Sequence, residues 1–359
     1  PMYAVVIAGG KGTRFWPRSR ERKPKHLLDI ISERTLIQET VDRIRPLVPP
    51  ENILIVTGSS HAAELIKQLP EIPGENIIIE PFGRNTAPCI GLAALHIKRK
   101  TEDDVMVVLP SDHLIAGKER FLHILCVAAE MAQRGNYLLT VGIKPEKPET
   151  GYGYIEQGTL KAVIGGENIY EVRSFREKPP LELAKTFLEH AGFLWNSGMF
   201  IWKVSTILEA IKQLLPGLYR NLLQIEGALG TDREAGITAQ AYGEITPVSI
   251  DHGVMEKADD VLLLEGEFGW NDMGSWDALW EMSDKDERGN AVWRGGDFVG
   301  VDTKNSFISS PQKLVALVGV EDLLVIETED SLLICKRGSS QDVKVVVETI
   351  EARGRKEYL

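Results

Sequence analysis

The sequence predicts an α/β protein whose mixed, mostly parallel sheet is followed by a small all-β region. In the first half of the chain, short β-branched runs alternate with amphipathic helical segments, which is the pattern of βαβ units. Around Ser283–Asn290 the composition becomes wholly polar, and only short β-type runs separated by turns follow. A length of 359 residues is enough for two domains. We therefore predict one domain over residues 2–285 and a second, β-rich domain over residues 290–359.

The first half contains apolar runs short enough to be buried strands and segments whose apolar residues recur at helical spacing. The predicted strands are Val5–Ile7, Ile53–Val56, Ile77–Ile79, Val105–Leu109 and Tyr137–Ile143. The predicted helices are Thr35–Val48, His61–Leu69, a segment capped by Asn85 or Thr86, and Glu119–Gln133.

The pattern becomes less regular from Gly151 onwards. We predict strands at Gly151–Ile155, Val172–Phe175 and Val261–Leu264, a helix at Leu181–His190, more helices up to about Tyr242, and an apolar segment, Phe193–Trp202, interrupted by Asn196-Ser197-Gly198. Beyond the polar linker the predicted strands are Phe298–Val301, Leu314–Val318, Leu323–Ile326, Leu332–Cys335 and Val343–Val347. They show no strict short repeat, so the sequence does not decide whether they form a regular β-helix. Apolar-rich strands of this kind can also build a homodimer contact.

A glycine loop follows the first strand and leads into a run of basic residues. Gly9, Gly10 and Gly12 come where bare backbone N–H groups can surround phosphates. Residues Lys11–Lys25, here called the basic loop, contain seven basic residues against one acid, a net +6, although the whole chain has a net charge of −11. A solvated surface run is the plain alternative. Because the run is joined to a strand and a glycine turn, we predict a small bound polyanion.

The bulk composition excludes several classes of protein. An acidic chain lacks the broad basic surface of a non-specific nucleic-acid binder, and no apolar stretch approaches the ~20 residues that span a bilayer. Three cysteines and seven histidines lack the spacing of a disulfide framework or a zinc site. The start, Tyr3–Ala8, does not resemble a signal peptide, and Pro1 resembles an expression remnant. We expect a cytoplasmic protein without nucleic-acid or membrane partners.

Polar residues follow three predicted strands of the first half. The strand ends fall at Gly9–Arg14, Gly83–Asn85 and Pro110–Asp112, and α/β sheets bind ligands beyond the carboxyl ends of their strands. Asp112, together with Asp272 in a glycine-flanked turn, offers the one or two carboxylates with which proteins hold Mg²⁺ on phosphates. Each aspartate taken alone is typical of a helix cap or a turn.

A second polar group lies in the less regular region. Glu177 and Lys178 are adjacent at a strand end, where a carboxylate can accept sugar hydroxyls and a lysine can hold a phosphate; an exposed strand terminus is the alternative. Asn196 stands among apolar residues and needs a polar partner if buried, which a ligand would supply.

These motifs resemble those of the sugar-phosphate nucleotidyltransferases, in the form found in mannose-1-phosphate guanylyltransferases. The resemblance spans nearly all of the first 280 residues. It is carried in order by AGGKGTRFWPRSR (Ala8–Arg20), Pro24-Lys25-His26, Glu80-Pro81 with GRNTAP (Gly83–Pro88), LPSDH (Leu109–His113), TGYGYI (Thr150–Ile155), Glu177-Lys178-Pro179, WNSGMF (Trp195–Phe200), VMEK (Val254–Lys257) and WNDMGSW (Trp270–Trp276). It implies a Rossmann-like, GT-A-like nucleotide-diphospho-sugar transferase sheet, without the isomerase (cupin) region of bifunctional members.

The resemblance also implies roles for individual residues. The nucleotide would contact Ala8, Gly9, Gly10, Gly12, Thr13, Arg14, Asn85, Ser111 and Asp112; the sugar phosphate would contact Gly151, Glu177, Lys178, Asn196 and Asp272. Arg14 on the triphosphate, Lys25 near the α-phosphate, and Asp112 would be catalytic, and Asp112 with Asp272 would hold Mg²⁺ or another divalent cation.

The implied reaction joins GTP and α-D-mannose 1-phosphate into GDP-mannose and pyrophosphate. A sister enzyme with another sugar or base, such as a GDP-heptose or dTDP-glucose enzyme, and a non-catalytic sugar-nucleotide sensor are alternatives. An NAD-dependent dehydrogenase is disfavoured, because Phe15 stands where G-x-G-x-x-G needs its third glycine. Asp29 has about the spacing of a ribose-binding acid, but it lies beyond the basic run instead of ending a second strand.

Overall fold

The computed structural model describes residues 1–359, and its internal contacts divide the chain into two compact units. Unit 1 comprises Pro1–Gly9 and Gln38–Trp270, and unit 2 comprises Gly10–Ile37 and Asn271–Leu359. The basic loop therefore belongs to the same unit as the C-terminal residues. The domain limits near residues 285–290 stay a prediction. None of the helices combines the length and the apolar composition that spanning a membrane requires.

The chain folds into seventeen β-strands and ten α-helices. The strands are β1 Met2–Ala8, β2 Ile53–Gly58, β3 Ile77–Glu80, β4 Val105–Pro110, β5 Leu114–Ile115, β6 Leu138–Ile143, β7 Tyr154–Ile164, β8 Glu167–Arg176, β9 Phe193–Lys203, β10 Val261–Glu265, β11 Trp270–Asn271, β12 Ala291–Val292, β13 Asp297–Val301, β14 Phe307–Ser309, β15 Leu314–Val318, β16 Leu323–Glu327 and β17 Leu332–Lys336. The α-helices are α1 Leu36–Ile44, α2 Ser59–Gln68, α3 Thr86–Lys98, α4 Lys118–Gln133, α5 Leu181–Glu189, α6 Val204–Leu214, α7 Pro216–Ala228, α8 Glu234–Glu244, α9 Trp276–Met282 and α10 Val343–Ala352.

Unit 1 is built on one nine-stranded mixed sheet. Its strand order is β3-β2-β1-β4-β9-β6-β10-β8-β7. Parallel pairing is confined to β3-β2-β1-β4 and to β6 with β10, because β9 returns antiparallel between β4 and β6. The Rossmann-like fold class is confirmed, with a smaller parallel part than the sequence predicts.

The core of unit 1 lies between this sheet and the helices packed on it. Strand residues such as Val5 and Val108 meet helix residues such as Ile90 and Ile207, all of them almost fully buried. Burying an aliphatic side chain of this size stabilises the folded state by about 1.5–3 kcal/mol. The well-packed sheet gives the loops at its strand ends a rigid base.

Unit 2 contains a four-stranded sheet, β12-β14-β16-β17, and a pair, β13-β15. Neighbouring strands pair parallel except β16 with β17, which are antiparallel. The strand predicted at Val343–Val347 is wrong, because these residues begin helix α10. Val343 is buried, and Val347 and Ile350 follow it at helical spacing and are partly buried. This 3.6-residue periodicity outweighs the strand preference of three consecutive valines.

Two predictions for unit 1 also need correction. β7 begins only at Tyr154, so Gly151 and Gly153 lie in the preceding turn rather than in a strand. Strand β9 runs unbroken through Asn196 and Gly198. Gly198 has φ +76°, a conformation that glycine adopts without strain.

Candidate active site

Three of the predicted strand ends meet at one edge of the unit 1 sheet. β1 lies between β2 and β4, and β3 is next to β2, with Ile7 opposite Pro110 and Gly58 opposite Glu80. Because these strands are parallel, the residues that follow them emerge at the same edge. Ala8 is buried there at the end of β1, and Gly9 is exposed.

Asn85 is held in a fixed turn before helix α3. Its Oδ1 accepts a hydrogen bond of 2.8 Å from the Thr86 N–H, and its φ is +67°. The chain on both sides is clamped to Val248, which donates its N–H to the Arg84 carbonyl (3.2 Å) and accepts the Ala87 N–H (3.1 Å). Asn85 thus sits in a turn made rigid from two sides.

Ser111 and Asp112 occupy the turn after β4. Ser111 is buried, and its carbonyl accepts the Thr40 hydroxyl at 3.1 Å. Asp112 Oδ1 lies 3.7 Å from His113 Nε2, and the other ring nitrogen of His113 is 3.1 Å from the Trp270 indole nitrogen. Since the indole N–H is a donor only, it fixes Nδ1 as the acceptor and directs the Nε2 proton toward Asp112.

Glu177 and Asn196 come together in the less regular part of unit 1, where they meet a third residue. Asn196 Nδ2 donates to Asp251 Oδ1 at 2.8 Å, and its Oδ1 accepts the Gly198 N–H at 3.1 Å. Asp251 begins a short π-helical turn, Asp251–Met255, three residues before the VMEK motif. Sequence reasoning missed Asp251, and this closeness to a motif is the only signal that pointed to it.

The Glu177 carboxylate has an unsatisfied oxygen. Oε2 is fully buried and has no hydrogen-bond partner, and a Cβ added to Gly153 would approach it to 2.5 Å. Burial, and then the neighbouring Asp251 carboxylate, raise the pKa of Glu177 to about 7. Burial also raises the pKa of Asp251. Such a group is ready to accept a hydrogen bond from a ligand hydroxyl.

Gly151 precedes Gly153 by two residues in the chain, and Lys178 directly follows Glu177. Gly151 is exposed and donates its N–H to Glu149 Oε1 at 3.1 Å. Lys178 has φ +43°, a rare conformation for a non-glycine residue, directly beside Glu177. Its positive charge lowers the pKa of Glu177, against the larger effect of burial.

In unit 2 the basic loop places Lys25 against Gly12 and Asp272. The Lys25 side chain is 6% exposed; its Nζ donates to the Asp272 carbonyl at 2.7 Å and lies 5.3 Å from the centre of the Phe15 ring. Gly12 has φ +58°, and a Cβ on it would lie 2.6 Å from Lys25 Cβ. Only glycine therefore allows this close approach. Thr13 and Arg14 follow in a single 3₁₀ turn, Thr13–Phe15.

The side chains predicted to hold a metal ion have the right donor chemistry. Asp272 Oδ1 accepts the Gly274 N–H at 3.1 Å, which orients the carboxylate, and Asp112 is partly exposed. Carboxylate oxygens are the ligands that Mg²⁺ prefers, and it usually takes one or two of them beside phosphate oxygens and water. No group of three or more His, Cys, Asp or Glu residues is arranged to hold a metal ion.

Arg14 contacts a residue that the sequence did not single out. Its Nη1 donates to Gln341 Oε1 at 2.7 Å, although 327 positions separate the two residues in the chain. The Trp16 indole N–H likewise donates to the Tyr358 carbonyl at 2.7 Å. No local pattern predicts such contacts, because they arise only when the C-terminal segment folds onto the basic loop within unit 2.

Comparison with protein families identifies two matching regions. Residues 3–289 match the model of the nucleotidyl transferase family, and residues 296–350 match that of the MannoseP isomerase/GMP-like beta-helix domain. A mannose-1-phosphate guanylyltransferase from Escherichia coli is 38% identical over 363 residues, which cover 100% of this chain and 77% of the relative. The mannose-1-phosphate guanylyltransferase ManC from Salmonella typhimurium (strain LT2) is 39% identical over 99% of this chain and 75% of its own length.

The fold also matches a solved structure over nearly its whole length. A crystal structure described as mannose-1-phosphate geranyltransferase from Thermus thermophilus aligns with a TM-score of 0.88 and 32% identity. The alignment covers 98% of this chain and 99% of that one.

Proposed function

The chain belongs to the mannose-1-phosphate guanylyltransferase family, and from this premise we propose that it makes GDP-mannose and pyrophosphate from GTP and α-D-mannose 1-phosphate. It is a sugar-phosphate nucleotidyltransferase. The base, the sugar and the metal ion are parts of the proposal. The observation that carries it is the position of buried Lys25. Its Nζ contacts the Asp272 carbonyl and its Cβ lies against Gly12, so its positive charge is placed at a glycine loop that is suited to phosphates.

In the proposed reaction a sugar-phosphate oxygen forms a bond to the α-phosphorus of GTP. The bond from that phosphorus to the oxygen bridging to the β-phosphorus breaks, and pyrophosphate departs with the electron pair. The attacking oxygen is already anionic at neutral pH, so the step needs no general base. Catalysis then consists of positioning the reactants and neutralising charge.

We assign Lys25 to the α-phosphate and Arg14 to the triphosphate. Lys25 is suited to this because its Nζ is held by the Asp272 carbonyl, so its charge is positioned before the substrate arrives. Gly9, Gly10, Gly12 and Thr13 would bind phosphates, and Asn85, in its rigid turn, would lie by the base. Asp112 and Asp272 would hold a divalent cation, which when bound supplies positive charge to the phosphate oxygens.

The sugar is assigned to the Glu177 group. The unpartnered Oε2 of Glu177 would accept a sugar hydroxyl, and Asn196, oriented by Asp251, would contact another. Lys178 would bind the sugar phosphate, and Gly151 would lie near the sugar. We also propose a homodimer through the β-rich residues 290–359.

A substrate panel tests the proposal. Pyrophosphate release would be measured with four nucleoside triphosphates against mannose 1-phosphate, glucose 1-phosphate and a heptose 1-phosphate, with Mg²⁺ and with a chelator. We expect release with GTP plus mannose 1-phosphate, abolished by the chelator. Release with another pair instead would identify a sister enzyme, undiminished release with chelator would refute the metal assignment, and no release with any pair would favour a sugar-nucleotide sensor.

A further inference from the structure

The basic loop is fixed at several points by the C-terminal part of unit 2. Besides Arg14 on Gln341 and Trp16 on Tyr358, the Arg20 guanidinium makes two hydrogen bonds, of 2.6 and 3.1 Å, to the Asp330 carboxylate. Residues more than 300 positions along the chain therefore determine how this loop is presented.

Gln341 is itself held in a rigid turn. It lies in a short 3₁₀ turn, Ser340–Asp342, directly before α10. The Asp277 carboxylate of α9 accepts the Gly338 N–H at 2.9 Å, the Ser340 N–H at 3.3 Å and the Ser340 hydroxyl. Because Ser340 is buried and bonded on both polar groups, the adjacent Gln341 amide is presented from a fixed backbone.

The partner of Arg14 differs in charge from the partners of two other arginines in the loop. Arg18 pairs with the Asp29 carboxylate at 2.8 Å and Arg20 with that of Asp330, so a nearby negative charge offsets each guanidinium. Gln341 offers a neutral amide oxygen instead. An amide acceptor orients a guanidinium without neutralising it, and four of the five N–H groups of Arg14 stay available to other acceptors.

We propose that Gln341 is a positioning residue of the nucleotide site, whose neutral side chain orients Arg14 while leaving its full charge for the triphosphate. This rests on the proposed function, since it takes Arg14 as a triphosphate ligand. It makes the C-terminal segment a contributor to nucleotide binding rather than a separate appendage. It also explains why a glutamine is suitable here, because a glutamate of the same length would compete with the nucleotide for the guanidinium.

The test compares two substitutions at this position in the full-length enzyme. Gln341→Met keeps the length and removes the acceptor, and Gln341→Glu adds a charge to it. We expect the KM for GTP to rise about three- to tenfold in Gln341→Met, as for the loss of one exposed hydrogen bond, and further in Gln341→Glu. The KM for mannose 1-phosphate and the melting temperature should stay near those of the parent. Gln312→Glu, the same chemical change at another exposed glutamine of unit 2, should leave all three unchanged.

A double-mutant cycle with Arg14→Ala separates positioning from a general effect. In the Arg14→Ala background Gln341→Met should not weaken GTP binding further, measured by calorimetry and by KM. Equal losses from Gln341→Met with and without Arg14 would overturn the inference, and so would an unchanged KM for GTP in both Gln341 variants while Arg14→Ala lowers activity. If Arg14→Ala itself leaves GTP binding unchanged, the triphosphate role of Arg14 fails and the inference fails with it.

Discussion

Lys25 is a buried residue whose positive charge we assign to the α-phosphate. A buried ammonium is costly unless it is paired, and here the Asp272 carbonyl and the face of Phe15 stabilise it. These contacts hold the ammonium group in place before a substrate arrives, as a residue that meets a phosphate requires.

Replacing this charge should therefore cost catalysis more than folding. We expect Lys25→Ala to lower kcat by a factor on the order of 10²–10³, as for loss of one preorganised donor. Lys23→Ala removes an exposed lysine of the same loop and should leave kcat unchanged. Steady-state rates of pyrophosphate release check both, and equal kcat values for the two variants would contradict the role of Lys25.

The buried position of Glu177 lowers the stability of the folded protein. Its pKa in the folded protein is about 7, above the ordinary value of 4.5, because burial disfavours the charged form. The folded state therefore binds a proton that the unfolded state releases between these values. The resulting destabilisation grows as the pH rises from 4.5 to about 7 and is constant above that.

Glu177→Gln should accordingly stabilise the protein in a pH-dependent way. At pH 8 we expect a melting temperature above that of the parent, by about 2–4 °C for each kcal/mol relieved. The gain should shrink as the pH is lowered from 7 toward 4.5. Thermal unfolding at pH 8 and pH 5 checks this, and a gain that is equal at both values would show that ionisation is not its cause. The same variant should bind mannose 1-phosphate more weakly at pH 8.

At the scale of elements, the basic loop depends on glycine geometry where it meets Lys25. Gly12 has a positive φ and lies close to Lys25 Cβ, and a side chain at this position would be strained on both counts.

In helix α10, by contrast, packing outweighs the local preference of the residues. Its valines prefer strands, but the stripe formed by buried Val343 and partly buried Val347 and Ile350 packs at helical spacing, and this packing selects the helix.

Gly12→Ala should displace the Lys25 end of the loop. We expect a loss of about 1–3 kcal/mol from backbone strain, plus the cost of moving Lys25, and a large fall in kcat. Gly9→Ala is the matched variant for stability, since a Cβ at Gly9 meets nothing within 4 Å and its φ is not positive. Its melting temperature should equal that of the parent. Equal melting temperatures for the two variants would contradict the strain argument.

At the scale of the whole molecule, the chain order and the spatial grouping differ. The first nine residues belong to unit 1, the next twenty-eight to unit 2, and the chain returns to unit 2 only at Asn271. Trp276 lies in the core of unit 2 and contacts both of its chain segments. It is fully buried, lies 5.0 Å from the Phe15 ring and 6.2 Å from that of Phe307, and donates its indole N–H to the Trp16 carbonyl.

Removing this side chain should weaken folding and nucleotide binding together. Trp276→Ala should cost about 3–5 kcal/mol and raise the KM for GTP, because the basic loop packs against it. Trp280→Ala, on the same helix but partly exposed, should cost less and leave the KM for GTP unchanged. Thermal unfolding and steady-state kinetics test both, and an unchanged KM in Trp276→Ala would contradict the supporting role.

Much of the first half could be predicted because its signals are local. The strands at Ile53 and Val105 and a helix cap at Asn85 or Thr86, which the structure places at Asn85, follow from short apolar runs and from side-chain chemistry within a few residues. The contact of Asn196 with Asp251 spans 55 positions and that of Arg14 with Gln341 spans 327. No local sequence pattern predicts either contact. Pairings at such separations depend on the packing of the whole chain.

The sequence by itself determined the α/β class, the strand ends that carry polar residues and the motifs that indicate the family, because each of these depends on residues that are close together in the chain. Only the tertiary structure decided that Val343–Val347 is helical, that the Glu177 carboxylate is buried with an unpartnered oxygen, and that the C-terminal segment holds the basic loop. Burial and long-range hydrogen bonds are properties of the packed chain. They exist only after segments far apart in sequence have been brought together.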